Sequence, residues 1–304
     1  MGFFNRLPTP IQGYIFVIIT MAIWGGFSLF ARLNAHWGIS AWDIIFIRFG
    51  VSALILLPII IYQKNHQFLW SKTAISLAIF GGVGYSMLVY RAFLIAPVAH
   101  GAVFLNGMIP VATALLMLFW LKKRPDHDTK IALIIISLTL VSMTALMVIT
   151  KQTFGMGDGL FVLCAFSWGA YGILVKQSSL TAWQIMCCTA VWSALIYVPI
   201  YALFFEPNFI HVKPHHLIIQ GVFHSVIVMI VATMTYALAV AKLGAFTAGG
   251  IASVAPFISA IVAVPLLGEP LDLVMVVGLV GMSFGVIQPW RFLTSLTFFN
   301  KENL

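Results

Sequence analysis

Charge is what this chain has least of. Only 8% of its 304 residues are charged, 16 of them basic and 8 acidic, where a water-soluble domain carries about 25%. That shortage excludes a soluble globular protein, because so few charges cannot cover a water-facing surface. The acids, from Asp43 to Glu302, all fall at the ends of apolar runs, in loops or in tails. Cysteine is nearly missing. Cys164, Cys187 and Cys188 are an odd number in apolar surroundings, which speaks against a disulfide frame and for reduced packing residues. Catalytic signatures are missing too: there is no Gly-rich phosphate loop ending in lysine, no HExxH helix and no nucleophile–base element. Asp126-His127-Asp128 groups ligand-type side chains in an exposed loop with no further ligand, so no metal and no cofactor is expected.

Apolar residues take the place of charge. They make up 62% of the chain, and the mean hydropathy is +1.05. They fall into ten runs, at about 11–33, 41–62, 73–95, 99–121, 130–150, 157–176, 182–204, 216–240, 244–267 and 271–290. Each spans about 20 residues, enough to cross the hydrocarbon as a helix. None alternates with the period of two that a membrane β-barrel needs. The expected class is therefore an all-α membrane protein of ten transmembrane helices, with the lipid bilayer as a partner. With a cytoplasmic N-terminus, eleven lysines and arginines lie on inner loops and ends, and only Arg32, Lys151 and Lys213 on outer loops. That bias predicts an N-in, C-in orientation. The basic balance speaks of topology, and no nucleic-acid partner is expected. The first run is too long for a signal-peptide core and lacks a small-residue cleavage site.

The chain is written twice. Trp42 stands ten positions before Ser52-Ala53-Leu54-Ile55, and Trp183 stands ten positions before Ser193-Ala194-Leu195-Ile196. Pro58 and Pro199 follow at matching places. Trp24-Gly25 pairs with Trp168-Gly169, Tyr90 with Tyr236, and Pro110 with Pro256, in that order and at nearly constant offset. Residues 1–152 thus form one five-helix repeat and 153–304 the second. Five is odd, so the second repeat enters the membrane from the other side. The expected architecture is two inverted five-helix repeats, with a site near the midplane between them.

Several short motifs follow one another across these runs: Ala22-Ile23-Trp24-Gly25-Gly26-Phe27, Arg48-Phe49, Tyr90-Arg91-Ala92-Phe93 and Pro110-Val111 in the first half, and Gly157-Asp158-Gly159-Leu160, Trp168-Gly169-Ala170-Tyr171, Ala255-Pro256 and Leu267-Gly268-Glu269-Pro270 in the second. In these motifs and their order the chain resembles the ten-helix drug/metabolite transporter superfamily, specifically its EamA-type members, over nearly its whole length. It departs at the junction of spans 4 and 5, where that family often has Gly-Glu and this chain has Lys122-Lys123-Arg124. The resemblance implies a carrier of the bacterial inner membrane that exports amino acids, related metabolites or amphipathic toxic compounds by alternating access. It also implies that spans 1–4 and 6–9 line a central cavity, with spans 5 and 10 packed to the side.

Candidate residues follow from membrane energetics. Arg48 lies near half depth in span 2, where a charge costs several kcal/mol unless it faces protein or water. Its fixed fork suits a carboxylate or phosphate; the alternative is a structural arginine bound to Asp43 or to helix carbonyls. Arg91 and Asp43 are candidates for an outer gate, although snorkelling explains Arg91 and the helix dipole explains Asp43. His224, the one histidine well inside a span, is a candidate for proton coupling or a packing residue. His100, at the start of span 4, reads as a wet end residue. Pro110 and Pro256 free the carbonyls of Asn106 and Ala252, marking hinges or static kinks, and the Asn106 amide adds a polar group to the cavity. Trp24, Trp168, Tyr85, Tyr90, Tyr171 and Tyr236 are candidates for an aromatic cavity wall that suits amphipathic small molecules. With no acid inside a span, neutral, zwitterionic or anionic substrates are favoured over strong cations.

The leading expectation is a secondary carrier for a small-molecule substrate, driven by protons or by exchange, working as a monomer or homodimer and not as an enzyme. Other readings are a nucleotide-sugar or sugar-phosphate exchanger, a non-transporting sensor or assembly subunit, and a membrane-embedded enzyme.

Overall fold

The computed structural model describes residues 6–96, 100–257 and 273–290. Helices fill nearly all of this, with no strand among the described residues. In chain order they are α1 (Thr9–His36), α2 (Ala41–Tyr62), α3 (Ala74–Ile95), α4 (Gly101–Phe119), α5 (His127–Ile149), α6 (Met156–Gln177), α7 (Ala182–Phe204), α8 (Pro214–Leu243), α9 (Ala245–Phe257) and α10 (Leu273–Ile287). The first eight are long and apolar enough to cross a bilayer. The described parts of α9 and α10 are shorter, and the motif from Leu267 to Pro270 lies outside the described residues.

Repeat-matched caps start the second helix of each half. The Ser40 Oγ accepts from the Asp43 amide at 3.0 Å while Asp43 Oδ2 accepts from the Ser40 amide. Thr181 and Gln184 do the same at the start of α7. Each reciprocal pair satisfies two amides that a helix start leaves without partners.

The helices pack chiefly across the halves. Gln12, Thr20 and Phe30 on α1 meet Lys242, Thr235 and Phe223 on α8, so these two helices run antiparallel. Phe161 and Trp168 on α6 meet Phe93 and Tyr85 on α3 in the same sense. Helix α2 lies along α7, α1 and α6 also touch α9 and α4 respectively, and α5 packs on α10. The pairing is unchanged when the halves are exchanged. Helices α5 and α10 form a separate layer with its own apolar core, where Gly281 and Gly285 bring α10 against Thr139 and Ile136.

The third helix of each half is irregular. Helix α3 breaks at Gly82, with φ −116° and ψ −118°. The Val83 amide donates to Ser193 Oγ on α7 at 3.0 Å, and Ser167 Oγ on α6 donates to the Phe80 carbonyl at 2.9 Å. In α8 the backbone instead widens into a π-helix over Val222–Ala232. There Ser52 Oγ on α2 donates to the Ser225 carbonyl, and Ser225 Oγ donates back to the Ile47 carbonyl. Serines from the facing half thus satisfy backbone groups that would be costly to leave bare in a membrane.

Candidate functional site

The middle of the bundle is a knot of rings from both halves. Trp168 on α6 sits at its centre. Its ring lies 5.1 Å from Trp24, 5.0 Å from Tyr85, 5.1 Å from Tyr171 and 5.2 Å from Tyr236. Trp24 also meets Tyr236 at 5.5 Å, and Tyr171 stacks on Tyr236 at 6.0 Å. Small residues make room for them. A Cβ at Gly81 would stand 2.3 Å from the Tyr171 ring, and one at Gly172 would stand 3.2 Å from the Tyr236 hydroxyl. The indole Nε1 of Trp168 and the hydroxyl of Tyr171 are buried, with the Tyr236 hydroxyl beside the indole and Thr189 beside Tyr171 as polar neighbours. Tyr90 is half-buried and packs against the same core.

Arg48 belongs to this layer. It is only 9% exposed. Its Nε is buried without a hydrogen-bond partner, and its guanidinium makes no ion pair among the described residues. Tyr90, Tyr85, Tyr171 and His224 all lie close enough to act on it electrostatically. The guanidinium also sits 5.3 Å from the ring of Phe49. A buried cation facing hydroxyls and aromatic faces, with donor capacity unused, is ready to take an anionic group.

Asp43 does not pair with Arg48. It is fully buried, but its carboxylate accepts from the Ser40 amide and hydroxyl and from the Tyr201 hydroxyl. Arg91 is exposed, and no ion pair joins it to Asp43 among the described residues. His224 is fully buried in the π-helical part of α8.

The two prolines sit beside irregular backbone. Before Pro110, α4 is π-helical over Gly101–Gly107, and the Asn106 amide donates to the Gly101 carbonyl at 3.2 Å. Before Pro256, α9 tightens into a turn, where the Val254 amide donates to the Ile251 carbonyl. Both are recognised ways to bend a helix locally.

His100 corrects the reading of a wet end residue. It is fully buried. Its Nδ1 lies 2.6 Å from Asp158 Oδ1 on α6, and its Nε2 lies 2.9 Å from Gln152 Oε1. Phe104 and Phe154 flank the ring. The burial arises because α6 packs across the start of α4 and lays Asp158 against the imidazole. Asp158 lies in a motif of the second half, but its partner is 58 residues away, and only the α4–α6 contact joins them.

The sequence pattern of the EamA-like transporter family matches this chain twice, over residues 11–145 and 155–288. No curated protein matches it. A solved structure described only as "Crystal structure of protein" shares the fold, with a TM-score of 0.70 and 12% identity over 91% of this chain and 96% of that one.

Proposed function

This chain belongs to the EamA-like transporter family of the drug/metabolite transporter superfamily, and on that premise we propose that it is a secondary carrier exporting small molecules by alternating access. It is a multi-pass membrane protein. The proposal places ten helices in two inverted repeats, 1–152 and 153–304, with both termini cytoplasmic, in a bacterial inner membrane. The substrates are amino acids, related metabolites or amphipathic compounds. They bind at the ring knot, where apolar parts lie on Trp24, Trp168 and Tyr236 and a carboxylate or phosphate reaches Arg48. Repeat rocks against repeat about that site, with Pro110 and Pro256 taking up the bend.

One observation carries this reading: rings from both halves and a buried arginine with unused donor capacity share one layer. A buried cation with an unfilled donor is costly unless a ligand completes its hydrogen bonds.

The test is efflux from proteoliposomes loaded with a panel of amino acids and amphipathic acids, with and without a pH gradient. Gradient-dependent flux identifies a proton-driven carrier, and flux that requires substrate on both sides identifies an exchanger. No flux for any compound overturns the proposal. Arg48→Ala is expected to lower flux of acidic substrates at least about tenfold, the loss of one charge-assisted contact. Normal flux in a folded Arg48→Ala protein removes Arg48 from the mechanism.

A further inference from the structure

We propose that His100, Asp158 and Gln152 form a proton-binding latch that holds the end of α3 and the start of α4 against the start of α6. The proposal rests on the carrier reading only for its effect on flux.

The donor count points to the proton. Both ring nitrogens of His100 face oxygen acceptors, Asp158 Oδ1 at 2.6 Å and Gln152 Oε1 at 2.9 Å. Only the imidazolium has two N–H donors to give. Asp158 is fixed for the task, because its other oxygen accepts from the Gly155 amide at 2.7 Å. If the proton leaves, one ring lone pair is turned toward an oxygen, and an uncompensated carboxylate remains at a buried contact. Turning the Gln152 amide over restores its bond to the ring but leaves the carboxylate charge without its cation, so the buried contact loosens or admits water. The proton is therefore a ligand of the closed arrangement, and closure follows its concentration.

The backbone around the cluster is built for close contact and for movement. A Cβ at Gly157 would stand 2.5 Å from the Ala96 side chain, and one at Gly101 would stand 2.8 Å from the Phe93 ring. The residue after His100 opens the π-helical stretch Gly101–Gly107, a backbone form associated with functional sites. Around the cluster, described α10 has no titratable group, and those of α5 (His127, Asp128, Lys130) lie at its far end. Arg91 on α3 and Lys151 in the loop before α6 are exposed. Asp158 is the buried acid that meets the imidazole.

The sign follows directly. The closed form keeps the imidazole proton to higher pH than the open form does, so closure is favoured at low pH and lost as pH rises between the two midpoints. For one proton the open-to-closed ratio changes at most about tenfold per pH unit.

The experiment uses the full chain in lipid nanodiscs, carrying spin labels at Leu94→Cys on α3 and Met156→Cys on α6, both exposed positions. The distance between labels is measured from about pH 5 to about pH 9, across the usual histidine range. The parent is expected to shift from a short to a longer distance as pH rises, and His100→Gln to lose that shift. Gln152→Leu, in the half-buried loop, is expected to fold and to move the midpoint of the shift. An unchanged pH response in His100→Gln overturns the proposal. If His100→Gln does not fold, an unchanged midpoint in Gln152→Leu overturns it. A pH-dependent distance in a protein that moves no compound leaves the latch standing and removes the carrier reading. Flux with a pH-independent distance does the reverse.

Discussion

At one end of the bundle, Gly13 on α1 lets the end of α8 come close, and Lys242 Nζ donates to Gln12 Oε1 at 2.8 Å. At the other end, Gly157 on α6 lets the end of α3 come close, and His100 bonds Asp158. The glycines stand at matching places in the two halves, and so do Lys242 and Ala96, the residues they receive. The chemistry of the two fastenings differs. One joins a lysine to a neutral amide. The other joins a histidine to a carboxylate, groups whose charges depend on the proton. With the proposed latch, a repeated frame keeps one geometry at both ends and makes only one of them responsive to its surroundings.

The sharpest way to separate the two ends is to remove their acceptors. Asp158→Ala leaves a buried imidazole without its acceptor and is expected to cost about 1.5–3 kcal/mol. Gln12→Ala, at a half-buried site, is expected to cost about 0.5–1.5 kcal/mol. Unfolding midpoints in mixed micelles measure both, and equal losses would mean that the two fastenings are equivalent. The next largest contrast is between the glycines. Gly157→Ala meets the Cβ of Ala96, which cannot swing away, and is expected to cost about 1–3 kcal/mol. Gly13→Ala meets the Leu243 side chain, which can rotate, and the Lys242 Cβ only at 3.0 Å, and is expected to cost less. The smallest effect belongs to Lys242→Met. Its part-exposed bond to Gln12 is worth about 0–1 kcal/mol, so the same micelle assay should show little change.

Much of the fold was legible because apolar runs of bilayer length have few other fates. The reading of 41–62 meets α2 at Ala41–Tyr62, and that of 182–204 meets α7 at Ala182–Phe204. The irregularities were not legible. The break at Gly82 is stabilised by Ser193, and the widened turns of α8 by Ser52, each from the other half of the chain. No local pattern announces a partner more than a hundred residues away. The repeat matches did single out Trp24, Trp168 and Tyr236, which the fold brings into ring contact. They were silent on His100 and Asp158, because nothing at the matching places repeats that pair.

The ring knot has an optical consequence. Trp168 touches one tryptophan and three tyrosines, so light absorbed by those tyrosines drains into the indoles by energy transfer over contact distances. A molecule that slides between the rings must part them, lengthen those paths and change the polarity felt by the indole. The protein therefore carries its own dye at its centre, and Trp168→Phe identifies which share of the emission belongs to it.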